Sequence, residues 1–228
     1  MYKPMYKPYK VVSTLWLNPK LIINFLYSIF VNMFFSFRNF YRFKVIADFG
    51  STISKAHSAK LIIDKRLYLG GKYIGDMTHS KAYIRMYKNS TFHVKGRVKF
   101  GPGIGIVVGP NAKLSIGDNT YITASSVIYC NNEMEIGRDC AIAWNTTIID
   151  TDFHQITYPD GTQNPISSPV KIGDKVWIGC NSTILKGVTI GNNCVIGANT
   201  LVNKDVPANC LVAGNPMRIV KEGIDWNV

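Results

Sequence analysis

Cysteine is scarce and unpaired in this chain of 228 residues: there are five, at positions 130, 140, 180, 194 and 210, without paired metal-ligand spacing. A disulfide framework and a structural zinc site are therefore not expected, and a reduced, cytoplasmic setting fits best. Histidine is scarcer still, with His57, His79, His93 and His154. Acid is nearly missing from the first hundred residues, which hold 3 Asp or Glu against 18 Lys or Arg, whereas the remainder holds 11 against 8. The net charge of +12 is thus +15 from the first hundred residues and −3 from the rest. Such asymmetry points to an anionic partner near the N-terminal half, either a membrane surface or an acidic polysaccharide. Nucleic acid is the other usual reason, but no nucleic-acid fold or motif accompanies the charge. No Ser or Cys nucleophile motif is present.

What the chain does have is a period. From Ile172 it reads I-G-D-K-V-W, I-G-C-N-S-T, I-L-K-G-V-T, I-G-N-N-C-V, I-G-A-N-T-L, V-N-K-D-V-P. An aliphatic residue leads each hexad, and four residues on stand Val176, Ser182, Val188, Cys194, Thr200 and Val206. On a helix, every sixth residue is displaced by about 240°, so this period cannot keep one apolar face there. Short strands joined by tight turns do keep it, with β-branched residues inward and Gly or Asn at positive-φ corners. Stacked coils then pair each backbone group with the coil above and below. A parallel β-helix of hexapeptide repeats is the fold predicted, and the class is all-β.

The phase continues upstream with more wear. Ile116, Ile122, Ile128 and Met134 keep it, a two-residue slip moves it to Ile136, and Ile142 and Ile148 follow. Irregular early coils are expected before Val108. The expected organisation is a basic N-terminal extension over residues 1–48, the β-helix over 49–211 and a C-terminal tail over 212–228.

Within the extension, Leu21 to Phe37 are 17 uncharged, mostly apolar residues between Lys20 and Arg38, and Asn24, Ser28, Asn32 and Ser36 recur every four. An amphipathic helix with a narrow polar side is predicted. It falls short of the ~20 residues that cross a bilayer, and no small-residue cleavage site follows it. Packing on the first coils or at an oligomer interface is the first expectation. Peripheral contact with the inner face of a membrane, aided by Lys3, Lys7, Lys10, Lys20, Arg38, Arg42 and Lys44, is the second, and a true span the third.

The hexads stop at Ile148 and resume in phase at Ile172, with Pro159, Pro165 and Pro169 between them, so residues 150–171 read as a loop. His154 stands in it, closely preceded by Asp150 and Asp152. An imidazole held by an acceptor through one nitrogen can take a proton through the other, which makes His154 the candidate general base. Asp152 is the candidate to orient it, with Asp150 or a main-chain carbonyl as alternatives. The other three histidines read as structural or merely exposed. Trp177 precedes a lead isoleucine and should face outward, suited to stacking on a sugar ring, lining an acyl channel or packing in an oligomer. Trp144 has a weaker claim. Lys204, Arg218 and Lys221 are three of the eight cations in the C-terminal part and could meet phosphates.

At these hexads, and at the tail V-A-G-N-P-M-R-I-V-K from Val212 to Lys221, the chain resembles the hexapeptide-repeat acyltransferases, in particular their maltose, galactoside and capsular-polysaccharide O-acetyltransferase branch. The likeness covers about residues 90–221 well. It implies a left-handed β-helix, acetyl-CoA as co-substrate, no metal and a homotrimer with sites at subunit clefts. D-T-D-F-H resembles the segment bearing that family's catalytic histidine. Cys180, Ala198, Asn203, Lys204, Arg218 and Lys221 match CoA-contacting positions. Asn145 and Ser125 are the candidates to hold the acceptor: relatives acting on simple sugars fix the acceptor hydroxyl with an asparagine, and the matching place falls at Ser125. The function this implies is O-acetylation of a saccharide acceptor, a cell-surface polysaccharide or its precursor, by direct transfer. N-acetylation of a nucleotide-linked amino sugar is the runner-up, serine acetylation comes third, and a non-catalytic scaffold is the alternative of another class. The zinc hydratases of this fold need three converging histidines, and one histidine lies in the regular coils.

Overall fold

In the computed structural model, which describes residues 19–35, 44–71 and 80–227, the hexads wind into a three-sided prism. Successive strands fall on successive sides: Val170–Ile172 on the third sheet, Trp177–Ile178 on the first, Thr183–Ile184 on the second, and Thr189–Ile190 on the third again. Among the described residues the first sheet has nine strands, from Val45–Ala47 to Arg218–Glu222, the second seven and the third six. Neighbouring strands are parallel, except that Arg218–Glu222 turns back antiparallel on Cys210–Ala213.

The core is three ladders of β-branched side chains, one per sheet. Ile122, Ile142, Ile178, Ile196 and Val212 stack on the first sheet, and Ile106, Ile128, Ile148, Ile184 and Val202 on the second. Ile116, Ile136, Ile172 and Ile190 stack on the third, with Val206 bridged beyond them. All are buried, and full burial of such a side chain is worth roughly 1.5–3 kcal/mol before entropy is charged against it. The corners between sheets need left-handed backbone, and Asn145, Asn181 and Asn199 supply it at φ 56°, 59° and 56° where the first sheet turns into the second. At Gly179, on the same corner, a Cβ would stand 2.6 Å from the Ala198 nitrogen, so close stacking of coils excludes any side chain there.

The early coils are longer than the late ones and unequal among themselves. Val45 stands opposite Leu67 and Phe100 opposite Ile122, steps of 22 residues; Ile122 opposite Ile142 is a step of 20; Ile178 opposite Ile196 is a step of 18. The strands at Lys60–Ile63, Arg66–Leu69 and Tyr83–Met86 pair in the same parallel ladders, but Leu67 stands opposite Val98, a step of 31, so the early coils are irregular in length, as expected. The two-residue slip before Ile136 goes into longer strands, Val127–Cys130 and Glu133–Ile136, joined by a short corner at Asn131 and Asn132, whose amides are both held by the Asp150 carboxylate at 2.7 and 2.8 Å.

Helix α1 (Pro19–Phe35) lies against Val45–Ala47, the edge strand that begins the first sheet. Its polar row faces that edge. Asn32 bonds both the Val45 amide and carbonyl, Ser28 the amide and carbonyl of Ala47, and Asn24 the Phe49 amide. Side chains four residues apart thus satisfy backbone groups that a preceding coil would otherwise pair. No helix among the described residues is long and apolar enough to cross a membrane.

Candidate active site

Residues 150–169 leave the prism at the corner between the second and third sheets and return as Val170–Ile172. The base of this arm is pinned: Thr151 bridges Ser167, the Asp152 amide bonds the Ile166 carbonyl at 2.8 Å, and the Ser168 amide bonds the Asp150 carbonyl at 2.9 Å. Further out, the Asn164 side chain bonds the Ile156 amide and Gln155 donates to the Asn164 carbonyl, both at 2.7 Å.

His154 sits near this base, exposed, and no described residue of the same protomer hydrogen-bonds its ring. Phe153 before it has φ 61°, a conformation a bulky residue adopts only when its surroundings impose it. The surroundings are the Tyr129 ring, edge-on at 4.7 Å, and the Thr151 hydroxyl, which accepts from the Phe153 amide at 3.0 Å. Backbone strain and an aromatic contact therefore fix the place from which the imidazole projects.

The two carboxylates beside it are engaged elsewhere. Asp152, expected to orient the imidazole, directs its carboxylate to the Lys186 ammonium at 2.6 Å and the Asn164 amide at 2.8 Å. Lys186 also donates to the Pro165 carbonyl, so this pair ties the arm to the next coil. Asp150 is fully buried on the Asn131 and Asn132 amides. Burial raises its carboxyl above the ordinary value against the opposing pull of those amides.

A groove of about 670 Å³ runs along the corner between the first and second sheets. Trp144, Trp177, Cys180, Ala198 and Trp226 are among its walls, and the lining is mostly apolar. Three of the chain's four tryptophans meet there. Trp177 is exposed as expected, 45% of it open to solvent. Trp226 leans on it from the C-terminal segment. That segment is held by an indole N–H bond to the Lys175 carbonyl at 2.9 Å, by the Lys175–Asp225 pair at 2.5 Å, and by the Asn193 amide on the Ile224 carbonyl. The sequence reading missed Trp226; a lone aromatic in the polar tail I-D-W-N was its available signal.

The remaining expected residues divide between the two corners. Ser125, at φ 48°, and Asn145 occupy turn positions on the groove's corner, where backbone geometry accounts for them. Asn203 and Lys204 lie on the other corner, below the arm. Arg218 and Lys221 are exposed on the antiparallel strand that closes the first sheet, without an ion-pair partner among the described residues. Within one protomer the width of the second sheet separates the His154 corner from the groove corner. His79 lies outside the described residues; His57 is exposed and His93 is paired with Asp64 at 3.0 Å. Burial pushes the Cys140 thiol up to about 11 and raises that of Cys130, so both are inert core residues. No group of His, Cys, Asp or Glu among the described residues could hold a metal ion.

Residues 169–204 match the family model described as bacterial transferase hexapeptide (six repeats). The Bacillus subtilis protein YvoF, named as an acetyltransferase, is 32% identical over 162 residues, which are 69% of this chain and 89% of that protein. The galactoside O-acetyltransferase of Escherichia coli is 38% identical over 113 residues, 49% of this chain and 55% of the relative, so the chain spans about half that enzyme's length. Among solved structures, the polySia specific acetyltransferase NeuO superposes with a TM-score of 0.54 at 25% identity, covering 78% of this chain and 85% of that one. A prism built of hexads, matched along nearly the whole of one such relative, makes this chain a member of the hexapeptide-repeat acetyltransferase family, with that family's left-handed parallel β-helix fold.

Proposed function

We propose that the chain is an acetyl-CoA-dependent O-acetyltransferase whose acceptor is a sugar hydroxyl of a cell-surface polysaccharide or its precursor. The observation that carries this reading is His154: an imidazole with no hydrogen-bond partner among the described residues of its protomer, projected from a pinned arm by a strained residue. Such a group is available to an incoming hydroxyl. It takes the hydroxyl proton as the oxygen attacks the thioester carbonyl; the tetrahedral oxyanion collapses, the C–S bond breaks, and the imidazolium returns its proton to the departing sulfur. The reading invokes no covalent acyl-enzyme: Cys130, Cys140, Cys194 and Cys210 are buried, and Cys180, half-buried on the groove wall, is assigned to the pantetheine path.

The co-substrate needs a groove, and the one at hand lies a sheet's width from His154. A homotrimer resolves the separation: the His154 corner of one protomer faces the tryptophan groove of the next, so each site is built from two chains. In that arrangement Cys180 and Ala198 line the pantetheine path, and Asn203, Lys204, Arg218 and Lys221 stand where main-chain and phosphate groups need partners. Trp177 and Trp226 flank the acyl end, and Asp152 acts through the arm rather than on the imidazole. An acidic or membrane-held acceptor suits the basic N-terminal half, and relatives named for galactoside and polysialic acid O-acetylation make a saccharide the first choice.

The test is thiol release from acetyl-CoA, corrected for hydrolysis, with wild type and His154→Ala against polysaccharides, simple sugars, amino sugars and serine. Acceptor-dependent release with a saccharide hydroxyl, lost in the variant, is expected. Release that survives the substitution would remove His154 from the mechanism, and turnover only with an amino sugar would replace O- with N-acetylation.

A further inference from the structure

A surface helix of a soluble protein ordinarily turns its apolar stripe to the core and its polar side to water. Helix α1 does the reverse. Its polar row, Asn24, Ser28 and Asn32, is spent on the edge strand, and of its apolar residues Val31 and Tyr27 reach the core. Ile22, Ile23, Phe25, Leu26, Phe30 and Met33 are all at least 40% exposed, Phe30 at 65%, and Phe49 extends the patch beside the Tyr27 ring at 5.5 Å. Aromatic and aliphatic side chains thus face outward at the N-terminal end of the prism.

We propose that this face docks on an anionic lipid bilayer, with α1 lying in the plane of the headgroups. Charge complementarity selects this occupant. The patch belongs to the half of the chain that holds 18 cations against 3 acids; Lys20 stands in the first turn of the helix, and Lys44, which donates to the Ile63 carbonyl, precedes the strand that the helix covers. An apolar face in a strongly basic part of a chain is the composition that binds negatively charged interfaces. Seventeen residues at 1.5 Å each give about 26 Å, short of the ~30 Å hydrocarbon core, so the helix lies on the surface and does not cross. A second copy is the poorer occupant on two grounds. Two such faces would bring two strongly basic halves together, and the polar row already satisfies the sheet edge through which another chain could extend the prism. In a trimer with parallel prisms, three helices would meet one plane, and their joint attachment would exceed that of any one.

This docking does not depend on the acetyl-transfer reading, and its test needs no turnover. The full chain is floated through a density gradient with vesicles of phosphatidylcholine alone or mixed with phosphatidylglycerol. In parallel, Leu26→Glu/Phe30→Glu is compared for flotation, thermal midpoint and mass by light scattering. Both positions are exposed, so the midpoint and mass should hold. Wild type is expected to float with the mixed vesicles and not with the neutral ones, and the double variant to lose flotation about tenfold or more. Three results would each overturn the proposal: no flotation of the wild type, equal flotation of the variant, which would leave the cations alone responsible, or a fall in mass of the variant, which would make the face a contact between copies.

Discussion

The indole of Trp226 lies 6.0 Å from that of Trp177, the two planes inclined at 46°. One ring rises from a coil and the other from the C-terminal segment, and together they wall one side of the groove. Trp226→Ala should open that side while the prism stays intact. The KM for acetyl-CoA is expected to rise about tenfold, the equivalent of roughly 1.4 kcal/mol, with a smaller change in kcat. A rise confined to the acceptor KM would place Trp226 on the saccharide side instead.

A site assembled from two chains predicts complementation. Ala198→Trp fills the groove and His154→Ala removes the base, so each variant alone should be inactive. Mixed trimers reassembled from equal amounts should recover about a quarter of wild-type activity, because one site in four pairs an intact His154 with an intact neighbouring groove. Mixtures that stay inactive would return the whole site to one protomer.

The Asp152–Lys186 pair should act as an anchor of the arm. Asp152→Asn and Lys186→Met are each expected to lower kcat several-fold by loosening the base, and the double variant to cost about the same as either single one, the mark of two residues in one contact. The pH–rate profile should keep its shape in all three. A shifted profile in Asp152→Asn alone would mean that the carboxylate reaches His154 during turnover.

Asp150 is a stability residue. Asp150→Ala leaves the Asn131 and Asn132 amides without an acceptor in a buried corner, and a loss on the order of 3 kcal/mol is expected by denaturant unfolding. Because burial raises its carboxyl above the unfolded value, the folded chain holds the proton more tightly than the unfolded one. Its titration therefore favours folding below the ordinary carboxylate range and loses that contribution as pH rises through the raised value. Asp150→Asn should abolish that slope; a slope that persists would assign it to another group.

Gly179→Ala tests coil stacking beside the groove. Its Cβ would sit 2.6 Å from the Ala198 nitrogen and 2.9 Å from the Ala198 Cα, so backbone must move. A thermal midpoint lower by several degrees and weaker acetyl-CoA binding are expected together, corresponding to about 1–3 kcal/mol of overpacking. Unchanged stability would show that the two coils can separate freely.

Much of this was legible in the residues from 108 onward because steric repetition is local. An aliphatic residue at every sixth position marks short strands joined by tight turns, with glycine or asparagine at the corners, so the hexads from Ile172 announced stacked parallel coils; that each coil has three sides was shown by the strand order. The earlier coils were illegible for the same reason: with steps of 22 residues between Val45 and Leu67 and between Phe100 and Ile122, no six-residue phase survives to be read. His154 stood out because it lay in the loop that interrupts the hexads, closely preceded by two aspartates, and Trp177 because it preceded a lead isoleucine.

The sequence by itself determined the period, hence the prism, its buried ladders and the interruption that carries His154, since these follow from which side chains can enter a core. Tertiary structure decided how the polar groups were spent. It gave Asp152 to Lys186 and Asp150 to two corner amides, laid Trp226 on Trp177, and turned the polar row of α1 toward an unpaired strand edge so that the apolar side faced out. Those partners lie from 13 to 49 residues apart in the chain, and a hydrogen bond or ion pair at such separation depends on where the coils bring backbone and side chain, which no local pattern encodes.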